Sequence, residues 1–192
     1  LSEGSSLKLL YLYMKPRCIL IPGNGGARTD FAWLPYAKRE LEALGCEVIS
    51  PEVYPDPILA RMNIWLPFID SFKPNENTVL IGWSSGAEAA MRYAETHKIL
   101  GTVLVAPCYT DLGLESEKES GCYDEPWDWE AIKSNQKWIV QASSMNDPHI
   151  PIEEARYVHE KLGTDYYEFP DKGHFFPMEE FPEIIEAIKK YL

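Results

Sequence analysis

One short motif combines the residue types and the spacing of a nucleophilic serine site. Residues 82–86 read Gly-Trp-Ser-Ser-Gly, a G-x-S-x-G pattern centred on Ser84. The motif follows an apolar run at Thr78–Ile81 and precedes a segment of helical period that begins at Ala87. A sharp turn from a strand into a helix projects the central serine hydroxyl, and glycines at both ends avoid steric collision. The motif therefore predicts a nucleophile elbow at Ser84; the alternative is a tight turn with an incidental serine.

A serine hydroxyl is a poor nucleophile unless a base and an orienting acid stand beside it. Asp147 lies in the loop after an apolar run at Trp138–Ala142, and His174 follows the last run, at Asp165–Phe169. Parallel strands end on one edge of their sheet, so the loops that carry these residues converge on that edge. We therefore expect a triad in which Ser84 is the nucleophile, His174 the base and Asp147 the orienting acid.

Other histidines and acids compete for these roles. His149 shares a loop with Asp147 and is a rival base, and Asp171 is a rival for the orienting acid. His97 and His159 lie within or at the end of helical segments, where a surface or packing role is expected.

A glycine-rich loop follows the first apolar run. It reads Pro-Gly-Asn-Gly-Gly at residues 22–26, and it fails as a dinucleotide fingerprint because Arg28 stands where the third glycine is needed. Its backbone N–H groups at Asn24 or Gly25, together with the N–H of Ser85, are expected to form an oxyanion hole. The alternative is a glycine-rich turn without a catalytic purpose.

Six short apolar runs alternate with segments of helical period, which is the pattern of βα units around a parallel sheet. An apolar stripe at Leu34, Ala37 and Leu41 is typical of the helices that face such a sheet. The predicted fold class is therefore α/β. The predicted strands are Cys18–Pro22, Glu47–Ser50, Thr78–Trp83, Gly101–Ala106, Trp138–Ala142 and Asp165–Phe169.

The regular alternation of apolar runs and helical segments suggests one domain at residues 14–192. Residues 1–13 precede the first convincing strand and are expected to be an N-terminal extension, either an upstream segment or a cloning remnant. A long acidic stretch at residues 107–126 is rich in turn formers and is expected to be a short lid-like segment.

Composition excludes several classes of protein. The 18 Lys and Arg against 30 Asp and Glu give a formal charge of −12, which argues against a nucleic-acid partner. The four cysteines have no C-x-x-C or zinc-ligand spacing, so no metal site is expected and a reducing, cytoplasmic location fits best. The apolar runs are too short to span a bilayer, so no membrane association is expected.

Several longer segments together resemble the retinoblastoma-binding protein 9 family of small α/β-hydrolases. The resemblance runs from about residue 17 to the C-terminus, and it implies a serine hydrolase whose triad matches Ser84, Asp147 and His174. The similar segments are Pro22–Gly26, Pro55–Pro57, Ile64–Phe68, Ile81–Ala87, Met91–His97, Pro126–Glu130, Asp147–Pro148 and Gly173–Phe175.

The chain departs from the family pattern in two places. Trp83 stands where the family commonly has histidine, so an indole replaces an imidazole beside the nucleophile and could reshape the pocket. The retinoblastoma-binding motif L-x-C-x-E is absent, because residues 72–76 lack Leu and Cys and residues 44–48 lack the final Glu. Binding to the retinoblastoma protein is therefore not expected.

These observations predict a compact α/β-hydrolase with a six-stranded, mostly parallel sheet in the order 2-1-3-4-5-6 and helices on both faces. The expected activity is hydrolysis of a small ester, thioester or activated amide through an acyl-enzyme, with a small-molecule acyl substrate and without a cofactor. The rival interpretation is a protein-interaction module that keeps the fold but has little or no turnover. The candidate pocket walls are Trp83, Trp65, Trp127 and Phe175, although a core role is at least as plausible for each.

Overall fold

The strands form one parallel sheet in the order β2-β1-β3-β4-β5-β6, which confirms the predicted topology. The computed structural model describes residues 15–192, so the extension expected at residues 1–13 lies outside the described residues. Every neighbouring pair of strands is parallel, so all six carboxyl ends lie along one edge. The strands are β1 (Arg17–Ile21), β2 (Glu47–Ile49), β3 (Thr78–Trp83), β4 (Gly101–Val105), β5 (Trp138–Ser144) and β6 (Asp165–Phe169).

Helices cover both faces of the sheet, as predicted. Helices α1 and α7 pack on one face, and α2, α3, α5 and α6 pack on the other. No helix within residues 15–192 is long and apolar enough to cross a membrane. The helices are α1 (Leu34–Ala43), α2 (Met62–Ser71), α3 (Ser85–Ala94), α4 (Glu115–Glu119), α5 (Trp129–Ser134), α6 (Ile152–Leu162) and α7 (Pro182–Lys189).

The central strands are buried on both faces, which explains why they read as continuous apolar runs. All residues of β3 and β4 are buried. Alternate residues of β1 point to opposite faces of the sheet and pack into the apolar layer on each face. Cys18 and Leu20 pack under α1 and α7, whereas Ile19 and Ile21 pack under the helices of the opposite face. The sheet is therefore a rigid platform between two apolar layers.

Strand β5 is longer than its apolar run predicts. Ser143 and Ser144 continue the strand because they pair with Glu168 and Phe169 of β6. Hydrophobicity does not mark these two serines as strand residues, since their place depends on a partner 25 residues away in the chain. The extension matters for the site, because it carries the chain directly to the loop that holds Asp147.

Helix α3 approaches the sheet so closely that its first turn has no room for a side chain. A Cβ atom on Gly86 would overlap the carbonyl oxygens of Ile21 and Pro22, at the end of β1. These atoms are backbone and cannot swing aside. Glycine at this position is therefore a packing requirement of the strand-to-helix turn.

Gly86→Ala should lower the free energy of unfolding by roughly 3 kcal/mol or more, because the added methyl group overlaps rigid backbone. Gly113→Ala is the matched control: it adds the same methyl group where no atom lies within 4 Å, at a positive φ of 73°. That change should cost only about 1 kcal/mol, from backbone strain. Urea denaturation of both variants measures the difference, and equal losses would contradict the packing argument.

Candidate active site

Ser84 stands at the point where β3 turns into α3, in a backbone conformation that few residues adopt. Its φ and ψ angles are 54° and −127°. The Ser84 N–H donates to the Val105 carbonyl at 2.9 Å, and the Ser84 carbonyl accepts the N–H of Ala87 to start the helix. A Cβ on Gly82 would overlap the backbone of Gly86, so the first glycine is required as well. Neighbouring backbone thus holds a strained serine in place, as in a nucleophile elbow.

The structure brings Asp147 and His174 together. His174 Nδ1 lies 2.8 Å from Asp147 Oδ2, and the Asp147 side chain is only 2% exposed. The other carboxylate oxygen accepts the backbone N–H groups of His149 at 2.9 Å and Ile150 at 3.1 Å. A neutral imidazole that donates from Nδ1 presents its Nε2 lone pair as an acceptor. The pair therefore has the arrangement of a base and its orienting acid.

Ser84 and His174 line the same cavity, which has a volume of about 730 Å³. Ser84 Oγ makes no hydrogen bond to any residue in the described part of the chain, His174 included. Hydrogen bonds between nucleophile and base are often long without substrate and shorten when substrate binds. The arrangement can support attack by Ser84 once a ligand closes this contact.

Trp83 holds the loop that carries the histidine. Its indole Nε1 donates to the His174 carbonyl at 3.0 Å, and the two ring centroids are 5.7 Å apart. The indole is 7% exposed and also packs edge-on against Trp33. The residue that departs from the family pattern is therefore tied by a hydrogen bond to the backbone of the candidate base.

The glycine-rich loop lies beside the serine, where an oxyanion hole requires it. Asn24, Gly25 and Ser85 all line the cavity, and a Cβ on Gly23 would come within 3.2 Å of Ser84 Cβ. The Asn24 side chain donates to Glu117 at 3.0 Å, which anchors the loop to the segment over the cavity. The residues expected to supply the oxyanion hole, on the loop and at the first position of α3, thus line the same cavity as the serine.

Of the four aromatic residues proposed as pocket walls, the structure brings only Trp83 to the cavity. Trp65 is fully buried against Tyr54 under the sheet, and its indole donates to the Pro55 carbonyl. Trp127 stacks on Arg92, outside the cavity lining.

Phe175 also belongs to the core rather than to the cavity. It is fully buried and packs against Phe181, with ring centroids 5.1 Å apart. Its neighbour Phe176 lines the cavity instead and stacks on Phe31 at 5.0 Å. Phe31 and Phe176 lie in loops without a periodic pattern, so the sequence offered no signal beyond the adjacent phenylalanine pair.

The competing histidines and the competing acid take other positions. His149 is exposed and lines the cavity with its ring edge-on to His174 at 5.0 Å. Asp171 is exposed, and it is Asp147 whose carboxylate contacts the His174 ring. His97 stacks on Tyr93, and His159 stacks on Tyr166.

A buried acid in the cavity wall was not predicted. Glu88 lies on α3, one helical turn after Ser84, and is 2% exposed. Its Oε1 accepts the Cys108 N–H at 2.8 Å, and burial raises the pKa of the carboxyl well above its usual range. The available signal was an acidic residue in the first turn of the helix that begins directly after Ser84. Among the described residues, no three His, Cys, Asp or Glu side chains are grouped to hold a metal ion.

Comparisons with known proteins identify the family of the chain. A family model described as serine hydrolase matches residues 18–190. Serine hydrolase RBBP9 of Rattus norvegicus is 41% identical over 179 residues, which cover 92% of this chain and 95% of the rat protein.

Two solved structures are similar in fold. The ydeN gene product of B. subtilis has a TM-score of 0.80 at 22% identity, covering 93% of this chain and 98% of that chain. Est1E of Butyrivibrio proteoclasticus has a TM-score of 0.71 at 15% identity, covering 92% of this chain and 86% of that chain. At these identities the likeness concerns the arrangement of the sheet and helices.

The Asp147 carboxylate should stabilise its loop independently of any chemistry. Asp147→Ala leaves the N–H groups of His149 and Ile150 without their acceptor, so we expect a loss of about 1–2 kcal/mol in the free energy of unfolding. Asp147→Asn keeps an accepting oxygen and should lose less. Urea denaturation of the two variants tests this, and equal losses would show that the backbone contacts contribute little.

Proposed function

The chain belongs to the serine hydrolase family, which confirms the resemblance seen in its motifs, and we propose that it cleaves small esters, thioesters or activated amides through an acyl-enzyme on Ser84. The observation that carries the proposal is the 2.8 Å contact between His174 and Asp147 at the cavity that Ser84 lines. A strained serine, an oriented imidazole and two sets of backbone donors are the parts that acyl transfer requires.

In the first half of the reaction, the Ser84 hydroxyl attacks the substrate carbonyl while His174 Nε2 takes its proton. Asp147 keeps the imidazole in the tautomer that accepts at Nε2 and stabilises the imidazolium that forms. The carbonyl oxygen gains negative charge in the tetrahedral intermediate. The N–H of Ser85, with that of Asn24 or Gly25, stabilises this charge.

The first half ends as the intermediate collapses: His174 gives its proton to the leaving group, which leaves an acyl-enzyme on Ser84. The second half returns the enzyme to its starting state. His174 then takes a proton from water, which attacks the acyl carbonyl, and the acid product departs as Ser84 recovers its proton. Trp83 serves both halves by holding the His174 backbone.

The cavity supports a small substrate. Its volume of about 730 Å³ is within the range of small-molecule sites. Residues from the acidic segment at 107–126 line it, including Leu112, Leu114 and Glu117. A reducing location such as the cytoplasm is part of the proposal, because the four cysteines are free thiols.

A fluorophosphonate probe tests the nucleophile. Labelling should be lost in Ser84→Ala and largely kept in Ser85→Ala, because only Ser84 has the elbow conformation. Heat-denatured protein is the control, since labelling must depend on the folded site. Labelling of Ser84→Ala at the level of the parent protein would contradict the nucleophile assignment, and no labelling of the folded parent would favour the interaction module.

Two histidine variants test the base. For a small activated ester, His174→Ala should lower kcat/KM roughly 10²- to 10⁴-fold, because the ring that Asp147 orients accepts the Ser84 proton. His149→Ala is the matched control from the same cavity and should keep most of the activity. If His149→Ala were the crippling change instead, the base would be misassigned.

A further inference from the structure

The Glu88 carboxyl is a buried acid that faces the catalytic cavity and has no role in the triad. It lies one helical turn after Ser84 on α3 and is 2% exposed. Its Oε1 accepts the Cys108 N–H at 2.8 Å, and the carboxyl lines the cavity. One oxygen is thus held by the protein wall, while the carboxyl group borders the space that a ligand would fill.

Among residues 15–192, no lysine or arginine forms an ion pair with the Glu88 carboxyl. Arg92 is one turn further along α3, but its guanidinium is occupied by the Cys122 and Glu125 carbonyls and the Glu95 carboxylate. The other titratable groups that face Glu88 or line the cavity are Cys108, Glu117, Cys122, Tyr123, His149 and His174.

Burial, with a smaller contribution from the charge of Glu117, raises the pKa of Glu88 well above its usual range. Burial also raises the pKa of Cys108, Cys122 and Tyr123, so these groups stay neutral alongside it. Glu88 is therefore protonated over a wider pH range than an exposed glutamate. A protonated carboxyl has an O–H donor, and a buried donor without an acceptor is costly.

Two groups of residues in the cavity lining are each joined by contacts. The aromatic wall contains Phe31, Trp83, His174 and Phe176, which stack on or contact one another. The acidic wall contains Asn24, Glu88, Cys108 and Glu117, which are joined by hydrogen bonds or by charge. Because His174 must protonate the leaving group, we place the leaving group beside the aromatic wall that contains His174 and the acyl chain toward the acidic wall.

We propose that Glu88 is a specificity-determining residue that, as a neutral carboxylic acid, donates a hydrogen bond to an ether, hydroxyl or keto oxygen in the acyl chain of the substrate. The inference rests on the proposed function, because it needs an acyl-enzyme on Ser84. An oxygen acceptor satisfies the buried donor without introducing charge. An ammonium group would instead require two buried charges, whose attraction is largely offset by their desolvation.

Two pairs of p-nitrophenyl esters test the proposal, each pair differing by an oxygen in place of a methylene group. They are methoxyacetate against butanoate, and 3-methoxypropanoate against pentanoate. The measurement is the ratio of kcat/KM within each pair, in the parent protein, Glu88→Leu and Glu88→Gln. Comparing variants cancels the intrinsic reactivity of the esters, and the ratio cancels any pH dependence that both esters share.

The ratio of kcat/KM for the ether ester to that for its alkyl partner should be on the order of tenfold higher in the parent than in Glu88→Leu at low pH, for at least one pair. In the parent this preference should fall as the pH rises, since an ionised carboxylate has no proton to donate. Glu88→Gln keeps a donor that does not titrate, so its preference should persist and lose the pH dependence. If Glu88→Leu does not fold, the contrast between the parent and Glu88→Gln decides the question.

Four results would overturn the proposal. Equal ratios in the parent and Glu88→Leu would show that Glu88 does not recognise the ether oxygen, while hydrolysis itself stands. A parent ratio with the same pH dependence as that of Glu88→Gln would show the same. An ether preference in the parent that grows with pH would contradict a neutral donor. Hydrolysis of none of the four esters by the parent above the level of Ser84→Ala would defeat the proposed function, and this inference with it.

Discussion

The site depends on one steric constraint, the close approach of the first turn of α3 to the backbone of β1 and β3. Gly82 and Gly86 allow the chain to reverse between strand and helix, and any Cβ there would overlap main-chain atoms. The reversal holds Ser84 at a positive φ and turns it toward the cavity. The buried strands on both sides of the turn hold this conformation in place.

A parallel sheet gives the second constraint, since it gathers all strand ends along one edge. The loops after β5 and β6 bring Asp147 and His174 to 2.8 Å from one another. Backbone N–H groups hold the far oxygen of Asp147, and the Trp83 indole holds the His174 carbonyl. Hydrogen bonds on the side away from their mutual contact therefore hold both members of the pair in place.

The cavity combines this machinery with two chemically different walls. Aromatic rings lie next to His174, whereas Glu117 contacts Asn24 of the glycine-rich loop and Glu88 lines the same cavity. A buried carboxyl without a cation is stable only when it is neutral or when a ligand partners it. Substrate selection can therefore depend on a residue of the same helix that begins at the nucleophile, and the acidic segment over the cavity adds to the negative field.

The sequence by itself determined the parallel sheet, its strand order and the strand-to-helix turn at Ser84, because apolar periodicity and glycine spacing report local burial and backbone shape. It also indicated the loops of Asp147 and His174, but it left His149 as a rival base. Only the tertiary structure decided which ring meets the carboxylate, and which aromatic residues line the cavity instead of filling the core. The same holds for Glu88. The sequence places it in the first turn of the helix after Ser84, but only packing against the loop after β4 puts its side chain in the wall of the cavity. Such choices depend on contacts between residues distant in the chain, which no local pattern encodes.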